Sequence, residues 1–266
     1  MTNATAAAYW EKRDNVAWLF LNDPSTRNAL GSAVAEAVVK CLEEIEQDDS
    51  IGVVCLTGSG EISFCSGNHL KELARLEPPA TTTTVGELHM AVRNCSRPVM
   101  AVIQGYCLGG GISLLANCDL AIASDQSQFG LPEVARGYPP GRALGEILQT
   151  IPSKWAFDLA MSGRNWPAQR ALDAGLISRI VPHEELHSEA QKWASDMASF
   201  PSSSLRMTKT IMHRILDILP HDERVKMNTS GYSRSGEFTP GIVGDGPNSI
   251  RSFFRHETDT KARSLE

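Results

Sequence analysis

The sequence predicts an α/β fold, and three observations carry that expectation. Four short runs, at residues 16–21, 51–56, 98–103 and 120–123, are apolar without interruption, as strands covered on both faces are. A helical spacing of apolar residues separates the first two. From Pro152 onward the pattern is mostly helical. Buried strands alternating with helices make a sheet with helices on both sides.

Taken in order, Val16-Ala17-Trp18-Leu19-Phe20-Leu21 is closed by the turn-forming Asn22-Asp23-Pro24. Leu30, Val34, Ala37, Val38, Cys41, Leu42 and Ile45 then fall on one face of a helix over residues 30–47. The second strand, residues 51–56, ends at Gly58-Ser59-Gly60. Residues 77–84 read EPPATTTT, and prolines and threonines in that density predict a loop, placed either on the surface or as a wall of a site. The third and fourth strands flank a glycine-rich stretch at residues 105–113. Helical segments follow at residues 154–162, 168–174, 184–200, 202–219 and 222–233, with a short terminal one at 248–254. No repeat is visible in residue identity. The expected organisation is a core over residues 1–200 and a helical region over 201–266.

Composition narrows the function. The 266 residues hold 25 Lys+Arg against 31 Asp+Glu, a net charge of -6, which disfavours an electrostatic grip on nucleic acid. No run approaches the ~18 apolar residues of a membrane span. The first 14 residues lack the basic start and apolar run of a secretory signal, so a cytoplasmic location is expected. Six widely spaced cysteines read as small buried hydrophobes in a reducing compartment. Seven histidines form no metal-binding spacing, and no metal is expected.

Three stretches carry chemistry. Gly105-Tyr106-Cys107-Leu108-Gly109-Gly110-Gly111-Ile112-Ser113 lies between a strand and an apolar helix. Glycines there leave backbone N–H groups uncovered, able to bind an anion or a developing oxyanion. Phe64-Cys65-Ser66-Gly67-Asn68-His69-Leu70 is a second glycine turn after a strand, presenting the Asn68 N–H. Phe129-Gly130-Leu131-Pro132-Glu133 places a carboxylate among apolar neighbours, where burial raises its pKa toward acid or base work.

Together these stretches resemble the crotonase (enoyl-CoA hydratase/isomerase) superfamily over almost the whole chain. Residues 23–30 look like the family's CoA-binding turn, residues 64–70 like the first oxyanion segment, and residues 104–119 like the family signature. Residues 168–181 match a further stretch. The resemblance implies a spiral of ββα units, a helical C-terminal region that trimerises, and a homotrimer or dimer of trimers. It implies a CoA thioester as substrate, no permanently bound cofactor, and an oxyanion hole made by the N–H groups of Asn68 and Gly110. CoA and substrate contacts carry over to Arg27, Ala29, Ser66, His69 and Leu70, and pocket positions to Tyr138, Arg142 and Tyr232.

The family's hydratases use two glutamates. The second corresponds to Glu133, but the first position holds Ser113. A serine orients water by hydrogen bonding, yet needs a base of its own to remove a proton near pH 7. Glu133 therefore stands as the catalytic carboxylate, with Ser113 as its helper or as a core residue. One carboxylate suffices for double-bond isomerisation, or for hydration when another group or the substrate assists. The text GGGIS, FGLPEV and GYPPG is similar to the hydroxycinnamoyl-CoA hydratase-lyases, although residues 70–75 lack the tyrosine those enzymes carry. The expected activity is a hydratase or hydratase-lyase on a 2-enoyl-CoA, aromatic by the local resemblance. An enoyl-CoA isomerase is the alternative, and a CoA-binding scaffold is the alternative of another class.

Overall fold

In the computed structural model, which describes residues 6–75 and 83–218, the apolar runs become neighbouring strands. β1 (Ala8–Arg13) and β2 (Val16–Leu21) form an antiparallel hairpin that turns at Asp14, whose φ is +54°. α1 (Ser32–Glu46) crosses over to β3 (Val53–Gly58), which pairs parallel with β2. The chain then repeats a plan of one strand for a large sheet, one short strand for a small sheet, and helices. β3 is followed by β4 (Ser63–Cys65), α2 (Leu70–Leu73) and α3 (Thr83–Asn94). β5 (Val99–Ile103) is followed by β6 (Tyr106–Leu108) and α4 (Gly110–Ala116). β7 (Leu120–Ser124) is followed by β8 (Gln128–Gly130), α5 (Gly141–Thr150) and α6 (Ser153–Ser162). β9 (Trp166–Pro167), α7 (Ala168–Asp173) and β10 (Arg179–Val181) complete the sheets, and α8 (Leu186–Ala198) and α9 (Ser202–Ile218) follow. The large sheet runs β1-β2-β3-β5-β7-β10 and the small one β4-β6-β8-β9. Each turn of this spiral adds a strand to each sheet, as the resemblance implies.

The uninterrupted apolar strands have the cause expected for a sheet covered on both faces. Along β2, Ala17, Leu19 and Leu21 face a core shared with α1, while Val16, Trp18 and Phe20 face a second core closed by Leu186, Ala190 and Ala194 of α8. Each fully buried leucine contributes about 2 kcal/mol of transfer free energy. One ion pair reaches inside: Arg97 is fully buried, its Nη1 lies 2.6 Å from Glu46 Oε2, and its Nε donates to the Ile51 carbonyl at 3.0 Å. That guanidinium fastens the end of α1 to the start of β5.

α9 docks through charge. Lys209 Nζ lies 2.7 Å from Asp119 Oδ2 and donates to the Arg97 carbonyl at 3.0 Å, and His213 Nε2 lies 3.0 Å from Asp119 Oδ1. Its other face leaves Met207, Ile211, Met212, Ile215 and Leu216 exposed. The helical segments read at 222–233 and 248–254 lie outside the described residues, as does the rest of the 201–266 region beyond residue 218.

Several boundaries differ from the sequence reading. α1 begins at Ser32 rather than Leu30, because Leu30 forms a parallel bridge with Asn68. The second apolar strand is shifted to Val53–Gly58. Thr83 and Thr84, read as loop, open α3, while residues 76–82 lie outside the description. β1, α3 and α5 have no counterpart in the sequence reading. β1 has one fully buried residue, Ala8, and ends in three consecutive charges, Glu11-Lys12-Arg13, and α5 is preceded by Pro139-Pro140 and carries Gly141 and Gly145, which read as turn.

Candidate active site

The small sheet assembles the site. β4, β6 and β8 are adjacent and parallel, so the segments that follow them emerge at one edge. Those segments are Ser66–Gly67–Asn68, Gly109–Gly110 and Leu131–Pro132–Glu133. Carboxyl ends of neighbouring parallel strands are where open α/β sheets hold ligands. Strands of three residues suffice, because Cys65 pairs with Cys107 and Leu108 with Gly130, fixing the register.

The first segment is clamped from several sides. Leu30 N donates to the Gly67 carbonyl at 2.8 Å, and His69 N donates to the Leu30 carbonyl at 3.0 Å. Ser66 N donates to the Arg27 carbonyl at 3.0 Å and Ser66 Oγ to the Thr26 carbonyl at 2.9 Å. Arg27 and Asn28 both hold left-handed φ values, +60° and +58°. The fully buried Asn28 side chain supports that turn by donating to the Ser63 carbonyl at 2.8 Å and the Ser59 carbonyl at 3.0 Å. Ala29 is buried, and its N–H reaches Thr26 Oγ1 at 3.3 Å. His69 caps α2, its Nδ1 accepting from Glu72 N at 3.1 Å. Glu72 in turn accepts from Ser32 N at 3.0 Å, giving α1 the N-terminal cap that Gly31 cannot supply.

The two glycine turns abut. Gly67 has φ +104°, and a Cβ there would lie 3.0 Å from the Leu108 carbonyl oxygen and 3.3 Å from Gly110 N. Only glycine allows that approach. Gly109, φ +52°, is the N-cap of α4, and its N–H donates to the Gly130 carbonyl at 2.9 Å. Among the described residues, neither the Asn68 N–H nor the Gly110 N–H finds an acceptor. Two unoccupied donors side by side, one at the start of α4, form a cradle for an oxyanion.

Glu133 faces this cradle. A Cβ on Gly109 would lie 2.8 Å from Glu133 Oε1, so the carboxyl sits over the glycine turn. Its Oε2 is sealed from solvent and has no hydrogen-bond partner among the described residues. Burial pushes the Glu133 carboxyl up to about 7, against opposing pulls from its own backbone N–H and Arg136. Such a group is both acid and base near neutral pH.

Ser113 lies one turn into α4 and is 1% exposed. Tyr138 packs with Leu73, Leu70 and Ala74 of the α2 region, and its backbone N–H donates to the Glu133 carbonyl at 3.2 Å. Its phenol is pushed upward by burial. Arg142 opens α5 and turns inward, its Nη1 3.7 Å from Glu146 Oε1 and its Nη2 against Gly86 of α3. Tyr232 lies outside the described residues. The structure thus brings together the Asn68, Gly110 and Glu133 segments, with Ser66, Arg27 and His69 bracing the first.

Two buried groups escaped the sequence reading. Glu146 of α5 is 6% exposed and accepts from Asn117 Nδ2 at 2.9 Å. Burial raises its pKa, while Ser113, Asn117 and Arg142 pull it down. His89 of α3 is 1% exposed, with the Gly110 backbone and Arg142 beside its ring. Burial, with Arg142 adding to it, lowers its pKa to about 3, so the ring is neutral. Glu146 lay in a segment that carried no helical reading, and only the four-residue spacing to Arg142 hinted at it.

The family model described as enoyl-CoA hydratase/isomerase matches residues 11–236. A "Probable enoyl-CoA hydratase" of Mycobacterium bovis is 36% identical over 213 residues, covering 78% of this chain and 81% of that protein. The hydroxycinnamoyl-CoA hydratase-lyase of Pseudomonas fluorescens is 31% identical over 208 residues, 75% of each chain. Among solved structures, an enoyl-CoA hydratase from Bacillus anthracis superposes with a TM-score of 0.74 at 28% identity, covering 86% of this chain and 91% of that one.

Proposed function

The chain belongs to the enoyl-CoA hydratase/isomerase family, and from that premise we propose that it adds water across the double bond of a 2-enoyl-CoA thioester. The observation that carries this reading is the Glu133 carboxyl lying over a turn whose neighbouring N–H groups, on Asn68 and Gly110, are free. The thioester carbonyl sits between those two donors, which stabilise the enolate oxygen as charge develops; one such donor is worth about 10²–10³ in rate. Protonated Glu133 delivers its proton to C2 while water bonds to C3. Ser113 holds that water. On an aromatic substrate bearing a para-hydroxyl, Glu133 then deprotonates the β-hydroxyl and drives cleavage to an aldehyde and acetyl-CoA. The likeness to a hydroxycinnamoyl-CoA hydratase-lyase supports that extension. No cofactor takes part.

Arg27, Ala29, Ser66, His69 and Leu70 fall to the CoA side of this arrangement and Tyr138 and Arg142 to the acyl side. The exposed apolar face of α9 supports a trimeric assembly through the C-terminal helices. The test is incubation with crotonyl-CoA and feruloyl-CoA separately, with products followed by mass. A gain of one water supports hydration, and aldehyde plus acetyl-CoA from feruloyl-CoA supports the lyase extension. If neither substrate changes while a 3-enoyl-CoA is converted to the 2-enoyl isomer, Glu133 works as a lone isomerase base and the hydration reading falls.

A further inference from the structure

Hydration in this fold calls for a group that takes a proton from the attacking water, and a serine alone cannot do so near neutral pH. The structure brings a carboxyl to Ser113 from another helix. Ser113 and Asn117 stand four residues apart on α4, hence on one face, and that face meets α5. Asn117 Nδ2 holds the position from both sides, donating to Glu146 Oε1 at 2.9 Å and to the Ser113 carbonyl at 2.8 Å. Asn117 thus ties Glu146 to the Ser113 backbone, and the Ser113 side chain is near enough to the carboxyl to pull its pKa down. Glu146 Oε2 is sealed from solvent and has no hydrogen-bond partner among the described residues, so one oxygen keeps its acceptor capacity. Arg142 Nη1, 3.7 Å from Glu146 Oε1, pairs with the carboxyl and favours its ionised form, the form a proton acceptor needs. An apolar residue would fill such a place at lower cost. A buried carboxyl retained there, behind a serine beside the oxyanion turn, calls for a role.

We propose that Glu146 acts through Ser113 as the positioning carboxylate for the water that is added to the substrate. This rests on the hydration reading above. In the step, the water oxygen bonds to C3 as the π pair of the double bond moves toward the thioester. The proton leaving the water passes to Ser113 Oγ, while the proton of Ser113 passes to Glu146. Glu133 supplies the proton that C2 receives. After product departs, Glu146 returns its proton through Ser113 to solvent, and Glu133 takes one up. The groups that face Glu146 are Arg142 on its own helix and Ser113 and Asn117 on α4. His89 of α3 faces Arg142 in turn.

The experiment compares the full-length protein with Glu146→Gln, Ser113→Ala and the double variant, following water addition to 2-enoyl-CoA thioesters from crotonyl-CoA to feruloyl-CoA. Each single variant is expected to lower kcat about 100-fold, with KM within about threefold, and the double variant to match the singles, because both remove one relay. A kcat for Glu146→Gln within about threefold of the parent overturns the proposal. So do additive losses in the double variant, which mark a separate structural role. If Glu146→Gln does not fold, the kcat–pH profile of Ser113→Ala decides: it loses the ionisation that belongs to Glu146, and an unchanged profile overturns the relay. Absence of water addition by the parent protein overturns the hydration reading itself, and is seen before any variant is made.

Discussion

Replacing Glu133 by Gln is expected to strengthen the fold while removing turnover. The carboxyl ionises near 4.5 in an unfolded chain and at about 7 in the folded one, because burial disfavours the charge. Below pH 4.5 it is protonated in both states and contributes nothing to the pH dependence. Between pH 4.5 and 7 the unfolded chain releases the proton first, so stability falls as pH rises. Above pH 7 the full cost is present, about 3 kcal/mol at roughly 1.4 kcal/mol per tenfold change in the ionisation constant. The side chain is only half-buried, with Oε1 facing the open cradle, so solvent screening brings this to about 2 kcal/mol. Gln has the same shape and no charge to desolvate. The variant should therefore gain about 1–2 kcal/mol at pH 8.5, shrinking to about a quarter of that at pH 5. Urea unfolding followed by the fluorescence of the buried Trp18 and Trp166 measures both values. Turnover should fall about 10³-fold with CoA affinity retained. A stability difference that is the same at the two pH values would refute the desolvated carboxyl and the acid role built on it.

Further expectations follow from the same geometry. Water addition requires protonated Glu133 and should decline as pH rises through about 7, whereas exchange of the C2 proton of a saturated acyl-CoA in deuterated water requires the ionised form and should rise through the same region. Parallel pH profiles for the two reactions would contradict a shared carboxyl. Gly109→Ala forces a side chain into φ +52° and within 2.8 Å of Glu133 Oε1, so kcat should drop about 100-fold while CoA binding persists, as equilibrium binding and steady-state rates will report. His89 is neutral in the folded chain and takes a proton on unfolding, so stability should fall as pH drops below about 6.5. His89→Leu should flatten that acid limb in melting curves recorded between pH 7 and pH 5. Arg97→Met removes the ion pair with Glu46 and four further hydrogen bonds at the α1–β5 junction, to Ser96 Oγ and the Glu46, Asp48 and Ile51 carbonyls, and should cost about 3 kcal/mol in urea unfolding.

Elements whose signal is local were legible in the sequence. The strand at residues 16–21 was read to the residue, because six apolar side chains closed by Asn22-Asp23-Pro24 are too short a run for a typical helix and fit a strand covered on both faces. α6, α7 and α9 emerged with near-correct bounds from periodicity. The strands β4, β6 and β8 were not read, since three residues contain no period to detect. α5 was hidden behind a Pro-Pro-Gly start. That the His69 ring caps α2 is visible only in the structure, where its Nδ1 accepts from Glu72 N.

By itself, then, the sequence determined the α/β class, the two glycine turns and the Glu133 segment, because burial runs, helical spacing and glycine each act over a few residues. Tertiary structure alone decided what meets what. Asn68, Gly110 and Glu133 converge because three very short strands are laid side by side in the small sheet. Glu146 meets the Asn117 side chain because α4 and α5 pack against each other, 29 residues apart in the chain at that contact. No spacing rule spans that distance. A carboxylate in the sequence is a solvated side chain until packing desolvates it and gives it a neighbour, and here packing gives this chain two such groups where residue identity at the family's positions shows one.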